Sequence, residues 1–204
     1  EWDSDATGAT STRATAVTSA PTASRLTLVS TPDRHLVFFG TETTIGTTST
    51  QDDMYIRWSD QEDINTYTPT ATNTAGTQRI ADGTRIVGAI RGRDAIYVWT
   101  DNALFIMRFV GAPFTFSFQQ VGTGCGLIGK NAAVEVDGSA YWMSENGFFR
   151  YTGKLESLPC LVEDYVYDDL NTIPRNHINA GLNNLFGEVT WFYASSGATS
   201  IDRA

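Results

Sequence analysis

Residues Ala95–Phe109 read AIYVWTDNALFIMRF, two apolar runs around a polar pair. The first arm, Ala95–Trp99, is aromatic and β-branched, and the second, Leu104–Phe109, is mostly apolar, as expected of strands packed on a pleated surface. Asp101 and Asn102 lie between them, where a chain reversal needs turn-tolerant residues. The stretch predicts an antiparallel hairpin.

The pattern returns in Ser139–Tyr151, SAYWMSENGFFRY, displaced by 44 residues: Tyr97 matches Tyr141, Thr100 Ser144, Asn102 Asn146 and Phe105 Phe149. A weaker copy, Met54–Asp60 (MYIRWSD), puts Trp58 41 residues ahead of Trp99, and Glu188–Tyr193 (EVTWFY) offers a fourth aromatic strand around Trp191. Spacings of 41 and 44 residues in strand-rich sequence are the signature of a radially repeated four-stranded sheet, and a plain antiparallel sandwich lacks them. The expected fold is all-β, a β-propeller-like set of repeated four-stranded blades. Trp58, Trp99, Trp142 and Trp191 are its repeat aromatics, expected in the core because they sit inside apolar strands. A closed propeller needs more blades than the three or four visible, and Glu1-Trp2-Asp3 looks like the end of another aromatic strand. A piece of a larger propeller-bearing subunit is therefore expected.

The chain carries 23 acidic against 14 basic residues, a net charge of −9, with Lys130 and Lys154 as its two lysines. That balance argues against a protein that grips nucleic acid, which needs phosphate-neutralising Lys/Arg on one face, yet suits a conduit whose acidic wall lets DNA slide past. No apolar run approaches the roughly 18 residues of a membrane span. Cys125 and Cys160 form no metal pair or C-x-x-C; reduced structural thiols are expected, with one bridge between them as the alternative.

Along the chain, residues 4–24 are Ser/Thr/Ala-rich loop, and Leu26–Val29 and His35–Gly40 are two strands around a Thr31-Pro32-Asp33 turn. Thr41–Thr50 and Thr70–Ala81 read as polar connections, and Gly122–Gly126 as a glycine-rich loop without the lysine of a phosphate cradle. Phe114, Phe116 and Phe118 alternate with period two and are expected on one core face. Arg85, Arg91 and Arg93 form a basic trio expected to pair with Asp82 and Asp94. Leu161, Val162, Tyr165, Val166 and Leu170 mark one side of a short inserted helix that Pro174 stops. The division expected is residues 1–50 as Ser/Thr-rich loop and partial blade, and 51–204 as blades with the helix near 161–171.

The candidate acidic loop holds Asp60, Glu62 and Asp63, but its spacing is not that of a calcium loop, so a solvated turn is expected. His35 and His177 have no evident catalytic partners, and no nucleophile elbow, H-E-x-x-H or Walker pattern occurs. No catalytic residues, cofactor or metal are expected.

The segment from Ile56 to Ile90 containing WSDQEDINTYTPTATNTAG, together with WTDNALFIMRFVGAPFTFSFQQVG and YWMSENGFFRYTG, resembles virion proteins of short-tailed bacteriophages, the tail hub or nozzle (tail tubular, DNA-stabilisation-like) family. The likeness covers about residues 54–193. It implies a structural, non-enzymatic virion subunit of the tail, in a homo-oligomer of six below the portal and adaptor. Such a subunit forms part of the DNA ejection channel without sequence-specific binding, with tail fibres as further partners. The alternative is a carbohydrate-binding propeller, a lectin or receptor-binding tail component, in which the four tryptophans would stack on sugars.

Overall fold

The computed structural model describes residues 17–31 and 33–204. The expected strand end at Glu1–Asp3, the first part of the 4–24 loop and Pro32 of the expected turn lie outside them. Three antiparallel sheets follow one another, each a four-stranded meander in chain order. The first contains β1 (Leu26–Val29), β2 (Leu36–Phe39), β3 (Tyr55–Trp58) and β4 (Gly76–Arg79). The second contains β5 (Ile86–Arg91), β6 (Ile96–Thr100), β7 (Ala103–Gly111) and β8 (Thr115–Thr123). The third contains β9 (Ala133–Val136), β10 (Ser139–Ser144), β11 (Gly147–Tyr151) and β12 (Leu155–Leu158). A short helix α1 (Glu163–Asp169) then leads to a two-stranded sheet of β13 (Asn179–Asn183) and β14 (Glu188–Phe192).

The first strands stand side by side: β1 touches β5, β5 touches β9, and β9 touches β13. A parallel bridge between Asn131 and Asn179 joins the last two sheets at that line. The described residues therefore form an arc of three four-stranded blades and a two-stranded fourth, with no closed barrel among them. The all-β, blade-repeat expectation holds. The division expected at residue 50 falls inside the first sheet, between β2 and β3.

The second sheet accounts for the apolar pattern of Ala95–Phe109. Its two faces are both covered, so β6 is buried at every position from Ile96 to Thr100. Ile96 and Val98 join Phe105 and Met107 in a core with Val37, Phe39, Ile56 and Trp58 of the first sheet. Tyr97 and Trp99 join Leu104 and Ile106 in a second core with Ala140 and Trp142 of the third. A strand covered on both sides reads as a continuous apolar run, because neither parity of its side chains meets water. The hairpins are closed alike: Thr100 Oγ1 accepts the N–H groups of Asn102 and Ala103 at 3.1 and 2.8 Å, and Ser144 Oγ accepts that of Asn146 at 3.4 Å. Asp137 and Gly138, both at positive φ (51° and 86°), turn β9 into β10 as an Asp-Gly hairpin turn requires.

The structure corrects several expectations. Trp58 lies on the third strand of its sheet, whereas Trp99 and Trp142 lie on second strands, so the 41-residue spacing is not a blade repeat. Phe114 falls in the β7–β8 turn and is 77% exposed, leaving Phe116 buried and Phe118 partly so. The polar segment Thr70–Ala81 contains β4, an outermost strand whose Gln78 and Arg79 face solvent and so carry no apolar signal. Helix α1 spans seven residues and none is buried; Leu170 is buried just beyond it, and Leu161 and Val162 are exposed just before it.

The first sheet's face away from the second is covered by its own loops. The Arg57 guanidinium donates to the carbonyls of Tyr67 and Thr43 at 3.2 and 2.8 Å, and the Phe38 and Tyr67 rings meet edge to face at 5.5 Å. Burial pulls the Arg57 pKa down from its usual value.

Candidate functional site

Three of the four repeat tryptophans are interior side chains. Trp58 donates its indole N–H to the Thr74 carbonyl (2.9 Å), Trp142 to the Cys125 carbonyl (2.7 Å) and Trp191 to the Ala132 carbonyl (3.0 Å). Trp58, Trp99 and Trp142 are buried; Trp191 is half-buried, with its ring 5.0 Å from that of Phe148. These rings hold blades together and offer no row of exposed faces on which sugars could stack.

The carboxylates of the acidic loop do not converge. Asp60 accepts the hydroxyl (2.5 Å) and N–H (2.8 Å) of Thr74 and the N–H of Gln61 (2.9 Å), and the Thr74 donors hold its carboxyl below the usual range against a smaller opposing effect of burial. Asp63 accepts the Thr66 hydroxyl at 2.7 Å and the Asn65 N–H at 2.8 Å, while Glu62 pairs with Arg34. Asp63 closes its own turn, Asp60 ties down the far end of its loop through Thr74, and Glu62 reaches the β1–β2 turn. Among the described residues no group of three or more His, Cys, Asp or Glu is placed to hold a metal ion.

Sequence reading missed the surroundings of His35. The imidazole is fully buried, with Nδ1 2.8 Å from Asp33 Oδ2 and Nε2 3.0 Å from Thr74 Oγ1. Phe116 and Phe109 of the second sheet pack on the ring at 5.1 and 5.7 Å. No catalytic partner for His35 is evident from the sequence, and the Asp-x-His spacing was the available signal for this buried contact with Asp33. The array has the members of a nucleophile relay but not its function: the Thr74 hydroxyl is committed to Asp60, and the ring has no access to solvent. It fastens the β1–β2 turn to the β3–β4 loop. Thr115 Oγ1 adds the second sheet by donating to the Thr74 carbonyl at 3.0 Å.

Cys125 is a buried free thiol whose pKa burial pushes up, and Cys160 is a partly exposed free thiol. An apolar groove of about 710 Å³ runs beside α1, between Phe148, Leu161, Tyr165 and Trp191. No helix among the described residues is long and apolar enough to cross a membrane.

The basic residues are arranged differently from the expected trio. Asp82 accepts from Asn102 and Gln120, both at 2.5 Å, and forms no ion pair with an arginine among the described residues. Arg85 instead shares a cavity of about 420 Å³ with Arg25, Lys130 and Arg175. Arg25 and Arg85 immediately precede β1 and β5, Lys130 lies three residues before β9, and Arg175 four before β13.

No family model matches the chain, and no curated protein does.

Proposed function

We propose that this chain is a structural, non-enzymatic subunit of a phage tail, a hub or nozzle component whose blades pack around the DNA ejection channel. The observation that carries the reading is the arc itself: successive four-stranded sheets aligned by their first strands, with their largest aromatic side chains spent on blade-to-blade contact. Such a body is a rigid wedge suited to lining a ring, and a net charge of −9 disfavours broad adhesion to passing DNA. The resemblance of WSDQEDINTYTPTATNTAG and the hairpins to short-tailed phage proteins supplies the tail, the six-fold ring, and the portal, adaptor and fibre neighbours. The interior placement of the tryptophans favours this over a lectin.

Native mass spectrometry of the purified protein and electron microscopy of virions test the proposal. A ring of six, with density at the tail below the portal, is the expected outcome. A monomer that binds a glycan array and is missing from virions would overturn it.

A further inference from the structure

The chain places one cation just ahead of the first strand of each of its four sheets, Arg25, Arg85, Lys130 and Arg175, and all four line one cavity. The first strands are the neighbouring inner strands of the arc, so the four side chains form a rim at one end of that inner surface. At the other end the last residue of each first strand and the four that follow it hold two cations, Arg91 and Arg93, both from the second blade. The rim draws one from every blade.

Its charge is only partly neutralised. Arg25 pairs with Asp53 at 2.7 Å and Arg175 pairs with Glu145, but Arg85 and Lys130 have no carboxylate within ion-pair distance among the described residues. Both are exposed, and two uncompensated cations therefore face the same space in a chain with a net charge of −9. Asn176 adds a neutral amide to the lining, and Val87 an apolar wall. A volume of about 420 Å³ lies in the range of small-molecule sites, roughly 300–1,000 Å³, and exceeds the needs of a simple ion pair.

We propose that this rim is a phosphate-binding site, taking the oxyanions of a nucleic-acid backbone or of a free organic phosphate. Arginine forks match the geometry of phosphate oxygens, lysine supplies a point charge, and the apolar wall accommodates the carbon portion of a phosphoester. The assignment stands on the placement of the cations and holds whether or not the chain belongs to a tail. In a channel it would give an otherwise repelling wall one place where phosphate is held.

The test measures binding of a fluorescent DNA duplex, and separately of pyrophosphate, to the 204-residue chain and to two doubly substituted variants, Arg85→Ala/Lys130→Ala and Arg91→Ala/Arg93→Ala. The two variants remove equal charge, and circular dichroism verifies that each is folded. Loss of the Arg85 and Lys130 contacts is expected to weaken binding about tenfold per cation and to lower the salt slope for DNA by about 2, while the Arg91/Arg93 variant binds as the parent does. DNA binding with this dependence identifies a nucleic-acid backbone as the source. Pyrophosphate binding with this dependence, and none for DNA, identifies a free phosphate. Equal weakening by both variants, or no binding of either probe, overturns the site.

Discussion

The indole rings of Trp99 and Trp142 meet at 5.3 Å and 61°, edge to face, across the boundary between the second and third sheets. They are not equivalent residues of the repeat. The 44-residue offset superimposes Trp99 on Met143, and the strand register agrees, since Trp99 pairs with Leu104 as Met143 pairs with Phe148. Neighbouring parity puts Trp142 on the opposite face of its sheet, and so the two rings face each other. Replacing Trp142 with Ala is expected to cost about 3–5 kcal/mol. The two Trp→Phe variants separate packing from hydrogen bonding. Trp99 Nε1 is buried without a partner, whereas Trp142 Nε1 satisfies the Cys125 carbonyl. Trp142→Phe should therefore destabilise by about 1–2 kcal/mol more than Trp99→Phe in urea melts. The reverse order would refute this assignment of the two indoles.

Tyr67 carries a second unpartnered polar atom, its hydroxyl, within a buried side chain. Burial, with the nearby Asp63 charge adding to it, pushes its pKa up to about 12. The neutral phenol is the form that the fold accepts. Its contribution is fully present below the unfolded tyrosine value near 10, then lost as pH rises through the window from about 10 to about 12, because the unfolded chain ionises first. Tyr67→Phe removes that segment of alkaline instability and leaves stability at neutral pH unchanged or higher by about 1 kcal/mol. Melts of parent and variant between pH 9 and about 12 decide it, and parallel curves would rule out Tyr67 as the source.

Gly126 belongs to the glycine-rich loop after β8, and its role is close approach. A Cβ there would collide with the backbone of Asp101 and Asn102 in the β6–β7 turn. The Cys125 N–H donates to the Asn102 carbonyl at 3.0 Å, and the loop carbonyl of Cys125 accepts from Trp142. Gly126→Ala should cost about 2–3 kcal/mol, as overpacking against backbone does. Gly197→Ala, where a Cβ meets nothing within 4 Å, should stay within about 0.5 kcal/mol of the parent. Thermal melts of the two variants provide the comparison.

What was legible in the sequence follows from burial. The 44-residue repeat between Tyr97 and Tyr141 and the Asp101-Asn102 turn were readable because β6 and β10, the second strands of their blades, bury side chains on both faces. Outer strands gave little: β4 reads GTQR and β12 LESL, since edges next to solvent keep few apolar positions. The Trp58 to Trp99 match failed because a lone Trp-Ser/Thr-Asp likeness cannot tell a second strand from a third. The cation rim left a signal that pairwise hydrophobic matching overlooks: Arg85, Lys130 and Arg175 are spaced 45 residues apart, close to the blade repeat. Arg25 breaks the spacing because the first blade carries two long loops, 40–54 between β2 and β3 and 59–75 between β3 and β4. The second loop also brings Thr74 back to His35, a meeting which local sequence does not announce.

Thr74 is the polar link between two loops of the first sheet. Its hydroxyl lies 3.0 Å from His35 Nε2, accepts from the Gln61 N–H at 3.0 Å and donates to Asp60 at 2.5 Å, so one oxygen joins the two. The Thr74 donors hold the Asp60 pKa below its usual value, which makes the ionised form the one that stabilises the fold. A depressed carboxyl contributes its full share above the unfolded value near 3.9 and loses it as pH falls through the lower folded value. Thr74→Val removes the donor and leaves both Asp60 and His35 short of a partner, at a cost of about 1–3 kcal/mol near neutral pH. Asp60→Asn keeps an acceptor oxygen but cannot titrate, so its stability should fall less than the parent's as pH drops from about 5 to about 2. Urea melts across that range measure both effects. Identical acid slopes for parent and Asp60→Asn would show that other carboxylates carry the acid sensitivity and that the Thr74 link acts only through packing.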